Sequence, residues 1–163
     1  EFPEGVEVVR DLDRIFKESD YVSLHVPNTP ITRGMVNKER LEMMKPTAFL
    51  INTARGGCVV EQDLYEACTN KTIAGAGLDA IQKEPVDPAN PLLTLDNVII
   101  YPHIGGNTME AAHRASYFAA MGVQEVYEGK EPTWPINDID YVTAPTYTDT
   151  KKPNKKSSGM FDF

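Results

Sequence analysis

Arg55, Asp79, Glu84 and His103 are separated by 24, 5 and 19 residues, and Arg55, Asp79 and His103 each stand just beyond a short apolar or glycine-containing run. As residue types they could hold an anion and exchange a proton near neutral pH, because arginine is a permanently charged fork and imidazole titrates in that range. Arg55 poses the question most sharply. The stretch Ala48-Phe49-Leu50-Ile51 before it reads as a buried strand, and a charge at the mouth of such a strand must reach solvent, find a counter-ion or hold a ligand. Each residue also has a plainer explanation. Arg55 could pair with a surface carboxylate, Asp79 could cap a turn, Glu84 before Pro85 could be an exposed loop charge, and His103 could be a satisfied structural histidine, as His25 and His113 are read. What favours a site is the arrangement of the four, which depends on the elements around them.

Strand and helix alternate along the chain in the pattern of a parallel sheet flanked by helices. The spacing predicts a helix over Leu12–Ser19, a strand over Tyr21–His25 stopped by Pro27, and a helix capped by Asn37 that runs through Met44 to Lys45-Pro46. It then predicts strand Ala48–Asn52, helix Glu61–Asn70, strand Ile73–Asp79 and strand Asn97–Tyr101. Two glycines inside Ile73–Asp79 imply that something packs closely on that backbone. Next, Asn107-Thr108-Met109-Glu110 has the form of a capping box with Asn107 as the cap. A long helix follows, with apolar residues at 109, 112, 119, 120, 123, 126 and 127 on one face and Gly129 as its stop. From Thr143 onward, Thr, Pro, Lys and Ser without periodicity read as a loosely attached tail. In an open parallel sheet, ligands sit outside the carboxyl ends of the strands. His25-Val26-Pro27, Thr53-Ala54-Arg55, Asp79 and His103 therefore gather along one edge.

The composition is that of a soluble globular protein, and 163 residues suffice for one real core. Net charge is −8, and the body before Val142 lies nearer −10, which argues against non-specific nucleic-acid binding and against adsorption on anionic membranes; no nucleic-acid or membrane partner is expected. No apolar run reaches the length of a membrane span, and Glu1-Phe2-Pro3-Glu4 has neither the basic start nor the apolar segment of a signal peptide, so the cytoplasm is expected. Cys58 and Cys68 lack metal-ligand spacing and read as reduced thiols; no metal site is expected.

Four segments, VSLHVPNTPITRGMVN, KPTAFLINTARGGCVVEQDLYEAC, IAGAGLDAIQKEP and NVIIYPHIGGNT, resemble in order and spacing the D-isomer-specific 2-hydroxy-acid dehydrogenase family. That family includes D-3-phosphoglycerate dehydrogenase, glycerate and hydroxypyruvate reductases and D-lactate dehydrogenase. The resemblance implies hydride transfer between NAD, with NADP left open, and C2 of a small 2-hydroxy or 2-oxo acid. It implies that Arg55 binds the substrate carboxylate and polarises the carbonyl, that His103 is the acid and base, and that Glu84 orients His103 and favours its protonated form. It also implies that Asp79 accepts a hydrogen bond from the nicotinamide carboxamide. Val26, Pro27, Thr53, Ala54, Arg55, His103, Gly105 and Gly106 would line the cofactor, mostly through backbone. Relatives pair through the cofactor domain, so a homodimer is expected of the intact protein, with the long helix as a candidate contact or, equally, a core helix packed on the sheet.

A dinucleotide-binding fold of this kind carries G-x-G-x-x-G after its first strand and an acidic residue about 20 residues later. Neither is present, since Gly75-x-Gly77 lies inside a strand. The expected fold is thus a partial Rossmann-like α/β sheet with flanking helices, lacking the N-terminal βαβ unit. Residues 1–106 would be the C-terminal part of the cofactor domain, 107–129 a long helix returning toward the substrate domain, and 130–163 a largely irregular extension. Turnover by these residues alone is not expected. The competing readings are a dinucleotide-binding regulator of corepressor type and an inactive remnant. Formate dehydrogenases share the scaffold but lack the glutamate partner of the histidine, so Glu84 counts against them.

Overall fold

In the computed structural model, which describes residues 3–135, four strands form one sheet. They are β1 (Tyr21–Leu24), β2 (Phe49–Asn52), β3 (Gly75–Leu78) and β4 (Val98–Ile100), laid side by side in chain order with every pair parallel. Helices α1 (Leu12–Glu18), α2 (Lys38–Met43) and α3 (Glu61–Thr69) precede or connect the strands, and α4 (Met109–Tyr127) follows them. The elements are those expected from periodicity, each one or two residues shorter at its ends. The tail expected from Thr143 onward lies outside the described residues.

Register explains why these short strands hold together. Val22, Leu50, Ala76 and Val98 form one cross-strand row, and Leu24, Asn52, Leu78 and Ile100 form the next on the same face. Side chains alternate along a strand, so both rows point into the core. Phe16 of α1, Leu41 of α2 and Leu64, Ala67 and Cys68 of α3 close over them with Ile73 and Leu92. Burying each large side chain contributes roughly 1.5–3 kcal/mol relative to leaving it in water. On the opposite face Tyr21 and Ile99 remain 67% and 60% exposed, and Tyr21 stacks on its cross-strand neighbour Phe49. The two glycines of β3 differ: a Cβ on Gly75 would lie 2.1 Å from the carbonyl oxygen of Asn97, whereas one on Gly77 meets nothing within 4 Å.

Local chemistry sets the helix ends. Asp11 caps α1 by accepting from the amides of Asp13 and Arg14, and Asn37 caps α2 by accepting from Arg40. The cap of α4 is Thr108 rather than Asn107, its hydroxyl accepting from the amide of Ala111 at 3.1 Å. That shift of one residue moves Glu110 out of capping-box position. Instead its carboxylate is held below the ordinary range by its own amide and the Thr108 hydroxyl. Gly129, at φ +71, closes the helix as expected. Its amide donates to Val126 and that of Lys130 to Glu125, the paired bonds of a Schellman ending.

By contacts the chain divides into two compact units, Glu1–Gly106 and Asn107–Phe163. The sheet and every candidate site residue belong to the first. Within the second, Phe118 meets Trp134 edge to face, and Glu125 accepts from the amide and hydroxyl of Thr133.

Candidate active site

The turns beyond β2 and β3 are tied together by one buried side chain. Asn52 is 1% exposed. Its Nδ2 donates to the carbonyls of Arg55 (3.0 Å) and Ala80 (3.3 Å), and its Oδ1 accepts from the amide of Ala54 (3.1 Å). Its own carbonyl accepts from the amides of Asp79 and Ala80. By sequence Asn52 reads only as the last residue of a strand. The available signal is that period-2 alternation places it on the same inward face as Leu50, where an amide side chain must find partners.

A 3-10 turn, Gly56–Cys58, follows Arg55. Neither Gly56 nor Gly57 has positive φ, so the tight turn is not what demands glycine. Close packing is. A Cβ on Gly56 would fall 1.9 Å from the carbonyl carbon of Ile81, and one on Gly57 would fall 2.3 Å from Nδ2 of Asn28. The Ile81 contact is backbone and cannot rotate away. Gly56→Ala is therefore expected to force the Arg55 and Glu84 turns apart and to cost about 2–4 kcal/mol of stability, of the order of other overpacked or displaced-backbone sites. Urea unfolding checks this, and a midpoint equal to wild type would mean the two turns are not rigidly apposed.

Arg55 is exposed, and its guanidinium donates to the carbonyl of Ala54 at 2.7 Å. Among the described residues it forms no ion pair, so the surface carboxylate that could have explained it is absent. Thr53 is exposed and Ala54 is buried. At the end of β1, the Pro27 carbonyl accepts from the Thr32 hydroxyl, which fixes the Val26-Pro27 turn. His25 keeps its plain explanation, since its Nε2 bonds the Ser23 hydroxyl at 2.9 Å.

Glu84 and His103 meet directly, and Asp79 joins the loop beside them. His103 Nδ1 lies 2.8 Å from Glu84 Oε2, while Glu84 Oε1 accepts from the amide of Ile81 at 3.1 Å. The hydrogen bond from His103 is the largest influence on the Glu84 carboxyl and holds it below its ordinary range; burial opposes it, and the Ile81 amide and the charges of His103 and Arg55 add smaller lowering effects. Glu84 is therefore a carboxylate at neutral pH. The Nε2 of His103 has no partner among the described residues. His103 itself has φ +55, a left-handed conformation that costs a non-glycine residue about 1–2 kcal/mol. Asp79 bonds the loop just after it, Oδ1 accepting from the amide of Ile104 (3.0 Å) and Oδ2 from that of Gly105 (2.9 Å). A Cβ on Gly106 would meet nothing within 4 Å, so the backbone there is open to approach. No group of three or more His, Cys, Asp or Glu that could hold a metal occurs among the described residues.

The carboxyl edge of the sheet thus carries an unpaired guanidinium, a carboxylate–imidazole pair with one ring nitrogen free, and a clamped glycine loop. These can bind an anionic oxygen ligand and exchange one proton with it. Residues 1–105 match the family described as D-isomer specific 2-hydroxyacid dehydrogenase, NAD binding domain. A glyoxylate reductase from Thermofilum pendens is 45% identical over 127 residues, which are 78% of this chain and 38% of that protein. Among solved structures, the TT0316 protein from Thermus thermophilus superposes with a TM-score of 0.76 at 40% identity, covering 83% of this chain and 43% of that one. An NADPH-dependent glyoxylate/hydroxypyruvate reductase from Sinorhizobium meliloti, solved with NADP and malonate, superposes with a TM-score of 0.75 at 30% identity over 84% of this chain and 43% of that one. The chain spans less than half the length of each of these relatives.

Proposed function

Since this chain belongs to the D-isomer specific 2-hydroxyacid dehydrogenase family, through its NAD binding domain, we propose that it carries the catalytic half-site of an oxidoreductase acting between a nicotinamide cofactor and C2 of a small 2-hydroxy or 2-oxo acid. The carrying observation is the 2.8 Å bond between His103 Nδ1 and Glu84, which leaves Nε2 without a partner among the described residues on the sheet edge that also carries Arg55, a guanidinium in no ion pair there.

The residues present fit the cofactor. A carboxylate offers about four acceptor sites, so Asp79 can hold both loop amides and still accept from a carboxamide. Val26, Pro27, Thr53, Ala54, Gly105 and Gly106 present backbone and small side chains on the same edge. The nicotinamide supplies or takes the hydride when bound. Everything else falls to side chains of this chain. Arg55 holds the acid's carboxylate in a fork and draws charge from the carbonyl oxygen. His103 Nε2 gives that oxygen a proton in reduction and removes it from the hydroxyl in oxidation. Glu84 keeps the ring oriented and favours its protonated form.

Residues 1–106 act in this reading as the C-terminal part of the cofactor domain, with 107–129 leading toward a substrate domain. A homodimer of the intact protein, with α4 as a candidate contact, and a cytoplasmic location belong to the same proposal. Among the described residues no helix is long and apolar enough to cross a membrane.

The test joins the 163-residue chain behind the N-terminal part of the Thermofilum pendens relative and follows NADH and NADPH oxidation with glyoxylate and hydroxypyruvate. Turnover abolished by Arg55→Ala supports the proposal. A folded chimera that binds NADH without turnover would overturn it in favour of a binding or regulatory role.

A further inference from the structure

We propose that Asp79 is a positioning residue whose carboxylate clamps the two peptide amides after His103, holding the histidine in its left-handed conformation with the ring on Glu84. Its importance for catalysis rests on the dehydrogenase reading; its test does not.

Packing cannot hold this loop, because residues 101–106 are all exposed. The last bond from the sheet is that of the Tyr101 amide to the Leu78 carbonyl. Between there and Gly106, the bonds among the described residues are those from the Ile104 and Gly105 amides to Asp79 and that from His103 to Glu84. A left-handed histidine in a solvated loop needs its surroundings to over-determine it, and the two-pronged carboxylate supplies that. Asp79 does not cap its own turn. It reaches 25 and 26 residues along the chain, from the end of β3 to the loop beyond β4. Each oxygen takes one amide, so an asparagine can reproduce only one of the bonds and turns an N–H donor toward the other amide.

Gly105 gives a second handle on the same clamp. It has no positive φ, so alanine suits its backbone. The obstacle to a Cβ there is Asp79 Oδ2, 2.8 Å away. Gly105→Ala should displace the carboxylate while leaving its charge in place.

The measurement is carbon-detected NMR titration of the Glu84 carboxyl in the isotope-labelled 163-residue chain, with hydrogen exchange of the Ile104 and Gly105 amides. The His103 bond is the largest cause of the lowered Glu84 value. In Asp79→Asn that value is expected to move up toward the ordinary carboxylate range, and both amides to lose protection. Arg55, the other charge acting on Glu84, lies on a different turn and is left untouched. Gly105→Ala is expected to shift Glu84 in the same direction, and Asp79→Ala with Gly105→Ala to be no worse than Asp79→Ala alone, as coupling through one contact requires. A Glu84 titration unchanged in both single variants overturns the proposal. Should Asp79→Asn fail to fold, Gly105→Ala alone decides. None of these readouts depends on turnover, so a failed dehydrogenase assay and a failed clamp are separable.

Discussion

His103→Gln, in a chimera or full-length protein carrying this chain, is expected to lower kcat by roughly 10²–10⁴-fold, the usual contribution of a positioned general acid–base. KM for the oxo acid should change by less than about threefold, since Arg55 holds the carboxylate independently. Glutamine roughly preserves shape and can still donate to Glu84, but it cannot release a proton to an alkoxide or take one back. The loss should appear in both directions of the reaction, because one ring nitrogen serves both. Steady-state rates of NADH oxidation and NAD reduction at one pH decide it. A variant that keeps a tenth or more of kcat in both directions would show that the proton reaches the substrate by another route, such as water, and would remove His103 from its proposed role.

Asn52→Asp is expected to destabilise the chain by about 3–5 kcal/mol, the range for an uncompensated buried charge. The replacement is nearly isosteric, so packing is spared and the effect isolates hydrogen bonding. An ionised aspartate has no donor to offer the carbonyls of Arg55 and Ala80, and both would face a negative charge at a site 1% exposed. A protonated one offers a single donor. With a urea slope of about 2 kcal/mol per molar, the midpoint should fall by roughly 1.5–2.5 M. Stability should partly return as pH drops and the new carboxyl protonates, since its folded-state pKa is raised above the unfolded value. A midpoint shift under about 0.5 M would mean water reaches the carbonyls and Asn52 does not join the two turns.

Both outcomes follow from features unequally visible beforehand. The alternation of apolar runs with glycine, proline and capping residues suffices to locate the four strands and the helices between them, because period and punctuation are local properties. Residue type and spacing likewise single out Arg55, Asp79, Glu84 and His103, and the four quoted segments point to the family that residues 1–105 match. The cap of α4 falls one residue later than its sequence suggests, since Asn107 and Thr108 are both good caps and only the backbone turn selects between them.

What the amino-acid order determined by itself was thus the class of sheet, the edge at which chemistry could gather and the candidate groups. Only the tertiary structure decided which of those groups touch. Asn52 joins residues 28 apart in sequence, Asp79 clamps amides 25 and 26 residues on, and Gly56 is required by the backbone of Ile81. These are contacts between separate strand ends that register brings to one edge. Nothing local in the sequence encodes a distance across parallel strands, so the partners of these residues emerge only when the sheet is assembled.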